Sequence, residues 1–226
     1  MLRSLILMVV SALAIYSAPA KADPYNTAAE ITSSSRLALE NLTSDIELGP
    51  TVKKFLKNSK GIMIFPEVLK AALLIGGEGG SGVLMVKQAN GAWSYPAFYT
   101  MGSVSFGFQA GGQSQQTILF IMTQDGLDAI LNEQVKVGAD ISAAAGPRGV
   151  GAEAATTVAG GKDVYVYSLN KGLFVGASIE GAIIAKRSDW NQAYYGRATD
   201  PRQIVQDNAV SNPNADPLRA AAELIR

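Results

Sequence analysis

Three glutamates set among small residues, Glu78, Glu153 and Glu180, are the first candidates for chemistry in this chain of 226 residues. Two carboxyls held about 5–9 Å apart could divide the acid and base roles of a hydrolysis. Their oxygens could also hold a hard cation, although no D-x-D-x-D-G loop is present. Composition excludes much else. With no Cys and no His, the chain cannot build a Ser-His-Asp triad, a thiol nucleophile, a zinc finger or an iron–sulfur site. Ser168-Leu169-Asn170-Lys171 fits the S-x-x-K pattern, but its S-D-N and K-T-G partners are missing and Asn170-Lys171-Gly172 reads as a hairpin turn. Gly77-Glu78-Gly79-Gly80-Ser81-Gly82 matches the dinucleotide fingerprint. It leads into Val83-Leu84-Met85-Val86, a strand, where a pyrophosphate would need a helix N-terminus. No cofactor and no metal are expected. The glutamates read first as hydrogen-bonded or solvent-facing strand acids.

A different chemistry lies in Lys53, Lys54, Lys57 and Lys60. Beside Phe55 and Leu56 they form a short amphipathic basic helix, the composition of an interfacial membrane-binding element. Each lysine near an anionic surface contributes about 1 kcal/mol, so four give roughly 4 kcal/mol, or about millimolar affinity. Inserting Phe55 or Leu56 would add about 1.5–3 kcal/mol each, provided that neither is already a core residue. The expected lipid-binding residues are therefore Lys53, Lys54, Phe55, Leu56, Lys57 and Lys60, with anionic membrane lipid as the partner.

The elements that must position these residues follow from pattern. Residues 1–22 read as a secretory signal: Arg3, an apolar run from Leu5 to Tyr16, and Ala20-Lys21-Ala22 before Asp23. The run is too short to span a bilayer. Cleavage there leaves 17 basic against 19 acidic residues, so a nucleic-acid partner is not expected. With no Cys beside the cleavage site, a lipoprotein anchor is not expected either, and the predicted location is periplasmic or secreted. Residues 23–60 form an N-terminal helical segment. Its first helix uses Ile31, Ala38, Leu42 and Ile46, and Gly49-Pro50 breaks it before a second helix capped by Thr51.

Residues 61–187 form a glycine-rich β domain with period-two alternation, as in Val104, Phe106 and Phe108. Strand candidates include 62–65, 73–77, 82–88, 93–98, 117–123, 137–144, 151–158 and 164–168, with Asn90-Gly91 a hairpin turn and a short helix capped by Asp125. Because many strand positions are Gly or Ala, the predicted fold class is α+β. Its sheet is curved or barrel-like, Gly/Ala-rich and antiparallel, with helices at both ends. Residues 188–226 form the C-terminal helical segment, with caps at Ser188, Asp200-Pro201 and Asp216-Pro217.

The glycine-rich stretches resemble the SYLF lipid-binding domain family, in its bacterial exported branch, with 23–226 as one such domain. The matching residues are Gly80-Ser81-Gly82-Val83, Trp93-Ser94-Tyr95-Pro96, Gly107-Phe108-Gln109-Ala110-Gly111 and Gly146-Pro147-Arg148-Gly149. Tyr167-Ser168, Gly172-Leu173-Phe174, Gly176, Ser178, Glu180, Gly181, Asn191, Tyr194, Tyr195 and Gly196 follow. The resemblance implies a non-enzymatic domain that binds membrane phospholipids, phosphoinositides in eukaryotic members, some of which also bind actin. It implies lipid contact through the basic N-terminal segment, here Lys53, Lys54, Lys57 and Lys60. With no SH3 module and a signal segment, actin binding is not expected. The reading is an exported, peripheral, non-catalytic lipid-binding protein; the alternative is a carboxylate-based periplasmic hydrolase or ligand-processing enzyme.

Overall fold

A computed structural model describes residues 23–72, 75–106, 111–132, 134–147, 161–170, 173–175 and 179–223. The predicted signal segment, the 151–158 strand candidate, Glu153 and Lys171 lie outside them. Among the described residues nine strands make one sheet: β1 (Gly61–Ala72), β2 (Ile75–Val86), β3 (Ala97–Phe106), β4 (Gly111–Ile121), β5 (Gln134–Lys136), β6 (Ala143–Ala145), β7 (Val164–Asn170), β8 (Leu173–Val175) and β9 (Ile183–Lys186). Their order is β5-β9-β3-β2-β1-β4-β7-β6, with β8 also paired to β7. The helices are α1 (Pro24–Ser44), α2 (Gly49–Asn58), α3 (Gln124–Ile130), α4 (Ser188–Tyr195), α5 (Pro201–Val205) and α6 (Asp216–Glu223). The α+β architecture with a curled, glycine-rich sheet and helices at both ends is the one expected. One correction concerns direction: β6 runs parallel to β7.

The curl follows from chain length. In a flat sheet, β5 and β6 at opposite ends of the order would stand seven strand spacings, roughly 34 Å, apart. The six residues 137–142 that join them reach about 25 Å at full stretch. Instead of stretching, the link turns: Gly138 has φ +89°, and Val137 bridges Ile141. The two edges must therefore come round toward each other.

Glycine makes a second bend possible. The strand expected over 62–65 is longer in the structure: β1 runs past Pro66 to Ala72 through a bulge. The register against β2 slips between Ile64 and Glu67, and that against β4 between Phe65 and Val68. Proline is tolerated in a central strand at such a bulge. The bulge presses on β2, where a Cβ at Gly82 would strike the Ile64 carbonyl oxygen and one at Gly80 that of Glu67.

Both faces of the sheet are covered. Ile62 and Ile64 join one core with Val83, Phe98, Phe120 and helices α1, α2, α4 and α6. Met63 and Phe65 join the other, with Tyr99, Leu119, Val166, Ile184 and helices α3 and α5. Strands buried on both faces read as continuous apolar runs, so the expected half-buried alternation holds poorly. Val104, assigned to the buried side of its strand, is 72% exposed.

Helix caps also differ. α1 starts at Asp23, whose carboxylate accepts from the Tyr25 N–H. It ends at Ser44, leaving the expected core residue Ile46 97% exposed. Asp45, not Thr51, organises the entry to α2, accepting from the N–H groups of Glu47 and Leu48 at 2.9 and 2.7 Å. Thr123, not Asp125, caps α3, and Ser188 makes no side-chain cap on α4. Asp200 does cap α5, through a capping box with Gln203.

Asp163 ties three elements together. Its carboxylate accepts from the Thr123 hydroxyl at 2.6 Å and from the Ser142 N–H and hydroxyl at 2.9 and 2.8 Å. Burial alone would raise its pKa, but these hydrogen bonds and the Lys162 charge hold the carboxyl below its ordinary range. A carboxyl depressed in the folded state stabilises above its unfolded value, about 3.9, and that contribution is lost as pH falls through the folded value. Asp163→Asn is thus expected to lower the urea midpoint at pH 7, with the gap to wild type closing below about pH 4. Urea titrations of both proteins from pH 7 to pH 3 check this.

Candidate functional site

The site is built on α2. Phe55 is fully buried, its ring centroid 5.0 Å from that of Tyr165, 5.7 Å from Tyr167 and 5.8 Å from Phe120. Val52 and Leu56 are buried beside it. With that side pinned to the sheet, 100° per residue carries Lys53, Lys54 and Lys57 outward, and Lys60 lies just beyond the C-cap Ser59. All four lysines are exposed, and among the described residues none takes part in an ion pair. Two expected site residues are corrected here. Phe55 and Leu56 are core side chains and do not face a membrane, because the aromatic cluster on β4 and β7 takes their apolar surface.

The C-terminal end of α2 carries a cation that the sequence reading missed. Lys87 donates through Nζ to the carbonyls of Leu56 and Lys57 at 2.8 and 2.6 Å, where the helix dipole favours positive charge. It also lies 5.2 Å from the Trp93 ring centroid. The available signal was its place three residues before Asn90 of the Asn90-Gly91 turn. A cleft of about 540 Å³ opens beside it. A larger groove of about 1470 Å³ runs between α1 and the sheet, with Glu30, Asp45 and Glu67 on its walls and no cationic side chain lining it.

Of the three glutamates, the two described ones, Glu78 and Glu180, stand in different surroundings. Glu78 lies mid-strand in β2, ion-paired to Lys70 at 2.8 Å and accepting from the Ser103 hydroxyl at 3.1 Å. Glu180 is exposed in the turn before β9, and neither residue lines the groove or the cleft. Ser168 is buried in β7, hydrogen-bonded to Thr117 at 2.8 Å, away from any helix start. Gly77–Gly82 lies within β2. Burial pushes the Tyr194 phenol up to about 12 and raises Tyr99, Tyr167 and Tyr195 as well, so these hydroxyls stay neutral at physiological pH. Among the described residues no cluster of His, Cys, Asp or Glu could hold a metal, and no helix is long and apolar enough to cross a membrane.

The motifs behind the family resemblance are joints in the fold. Asn191 accepts from the Phe98 N–H at 2.8 Å, the Tyr195 hydroxyl donates to Pro96 at 2.6 Å, and Trp93 Nε1 donates to Ala222 at 3.1 Å. Tyr167 donates to the Pro147 carbonyl at 3.0 Å. They fasten α4, α6 and the 146–147 segment to the sheet.

Comparison with known proteins agrees. Residues 102–224 match the Ysc84 family, described as Las17-binding protein actin regulator. LAS seventeen-binding protein 3 of Saccharomyces cerevisiae is 34% identical over 166 residues, 72% of this chain and 36% of that protein. Protein YSC84 of the same yeast is 33% identical over 166 residues, 72% of this chain and 35% of its own length. SH3 domain-containing YSC84-like protein 1 of Xenopus laevis is 25% identical over 178 residues, 77% of this chain and 53% of the relative. The chain thus spans between about a third and a half of these curated relatives.

Proposed function

Because the chain belongs to the Ysc84 family of SYLF-domain proteins, we propose that it is an exported, non-catalytic protein that docks on anionic phospholipid through the lysine face of α2. The observation that carries this reading is the set of four exposed lysines outside any described ion pair, three on a helix whose other side is fixed to the core and Lys60 just past its end. A relative named as a binding protein, LAS seventeen-binding protein 3, supports the non-catalytic part. The signal-like residues 1–22 support export to the periplasm or beyond, and such a location removes actin from the proposed partners.

With Phe55 and Leu56 committed to the core, contact is electrostatic and superficial. Its strength is about 4 kcal/mol for four lysines, and it weakens steeply as salt shortens the screening length to about 10 Å at 0.1 M. Co-sedimentation of residues 23–226 with phosphatidylglycerol-containing vesicles tests the reading. Binding is expected at low salt, fading by 0.15 M. Replacing Lys53, Lys54, Lys57 and Lys60 by Ser should weaken it by about three orders of magnitude, which takes it out of detection. Equal binding by that variant, or none by wild type, would overturn the proposal.

A further inference from the structure

The groove between α1 and the sheet is a second surface with its own chemistry. Ala28, Thr32, Ser35, Leu39 and Leu42 form the buried side of α1. Beside them, at the three- and four-residue spacing of one helix face, Glu30, Ser34, Leu37 and Asn41 are exposed and line the groove. The facing wall is the sheet. Alternation puts Ser114 and Gln116 on the side of β4 that carries Ile118 and Phe120, which pack under the helices. Leu69 stands opposite Ser114 in the ladder, and Glu67 accepts from the Ser114 hydroxyl at 3.2 Å, so both belong to this wall. Leu37 and Leu69, one on each wall, are 49% and 57% exposed, aliphatic side chains that the core leaves uncovered.

Charge along the groove has one sign. Glu30, Asp45 and Glu67 line it, and among the described residues no Lys or Arg does. Arg36 and Lys70, the nearest cations along the chain to Glu30 and Glu67, are taken by Glu40 and Glu78, each at 2.8 Å. Three carboxylates without a counter-charge are complementary to a cationic partner. The dimensions suit an extended one. Glu30 and Asp45 stand fifteen residues apart along α1 and its C-cap, about 22 Å at about 1.5 Å per residue. An extended segment covers that in about seven residues at about 3.3 Å each. A helix of equal length, about 10 Å wide, would take up roughly 1,700 Å³, more than the 1470 Å³ or so that the groove offers. An extended segment also brings backbone groups that need partners. The amides of Asn41 and Gln116 supply donors and acceptors on both walls, and among the described residues neither side chain is engaged in a hydrogen bond.

We propose that this groove docks an extended, basic segment of a partner protein. Lysine or arginine side chains about seven residues apart pair with Glu30 and Asp45, aliphatic side chains between them cover Leu37 and Leu69, and the segment passes over Glu67. The proposal goes beyond the lipid reading and does not rest on it, since Lys53, Lys54, Lys57 and Lys60 lie outside the groove. Residues 23–226 are titrated, by fluorescence anisotropy, into two labelled octapeptides: Lys-Ser-Leu-Ser-Leu-Ser-Leu-Lys and the same peptide with Glu at both ends. Wild type should prefer the lysine peptide by at least about tenfold. Glu30→Gln/Glu67→Gln, at two exposed positions, should cut that preference to less than about threefold. Ser34→Trp, which fills the groove from an exposed turn of α1, should abolish binding without changing the circular dichroism melt. Lys53→Gln, outside the groove, should leave the preference as it is in wild type.

Equal affinity of wild type for the two peptides, or no binding of either, overturns the proposal. Undiminished binding by Ser34→Trp with an unaltered melt does so too. If Ser34→Trp melts lower, the preference of Glu30→Gln/Glu67→Gln decides, and a preference equal to that of wild type counts against the groove. Concentration-dependent dimers in analytical ultracentrifugation, dispersed by Ser34→Trp, would make a second copy of this chain the occupant and overturn the partner segment. None of these outcomes alters the vesicle test of the α2 lysines.

Discussion

Phe55→Ala is expected to destabilise the protein by about 3–5 kcal/mol, the usual cost of emptying a buried aromatic site. The side chain is fully buried, and three aromatic rings from β4 and β7 close around it, leaving little freedom to collapse into the void. Guanidinium denaturation followed by tryptophan fluorescence should show a lower midpoint with unchanged slope. The folded fraction of the variant should bind anionic vesicles as wild type does, because Phe55 faces the sheet. Lys57→Ser should do the reverse: stability within about 0.5 kcal/mol of wild type, with vesicle affinity down about fivefold for a loss of about 1 kcal/mol. An unaltered midpoint for Phe55→Ala accompanied by lost binding would mean that the ring works in the membrane.

Gly82→Val should cost about 3 kcal/mol or prevent folding, since overpacking against backbone has no soft way out. The obstacle is the bulge in β1: the first added carbon meets the Ile64 carbonyl oxygen, and the Phe65 ring stands 2.8 Å away. Gly77→Ala, on the same strand, is the control. Its nearest obstacle is the Ser103 carbonyl at 3.7 Å, so a change of no more than about 0.5 kcal/mol is expected. Circular dichroism melts of both variants check the pair. If Gly82→Val melts like wild type, the bulge does not press on β2.

What the sequence made legible, and what it hid, divides along physical lines. The curled α+β sheet could be read because glycine and alanine occupy strand positions where bulk would block bends. The family could be read because Trp93, Tyr167, Asn191 and Tyr195 are fastening residues whose spacing is tied to the fold. The lysine face of α2 was visible from composition and spacing. The role of Phe55 and Leu56 was not, because a short amphipathic helix has the same pattern whether its apolar side meets a bilayer or a sheet. Only the aromatic residues at positions 120, 165 and 167, far away in sequence, decide between the two. Lys87 was hidden for a similar reason, since its carbonyl partners lie 31 and 30 residues upstream. The strand expected over 62–65 runs on to Ala72 because a bulge admits Pro66.

The place of β9 has a kinetic consequence. It lies between β5 and β3, pairing Lys186 with Tyr99 and Ala185 with Gln134, although it is the last of the described strands along the chain. Until some 186 residues have left the ribosome, β3 keeps an open flank and β5 has no neighbour in the sheet. Loop closure on that scale precedes its reward, so folding is expected to take milliseconds to seconds, with the rate falling further in any variant that delays β9. A nascent chain of this design spends its synthesis unfinished, and chaperones would meet it before its native ladder is complete.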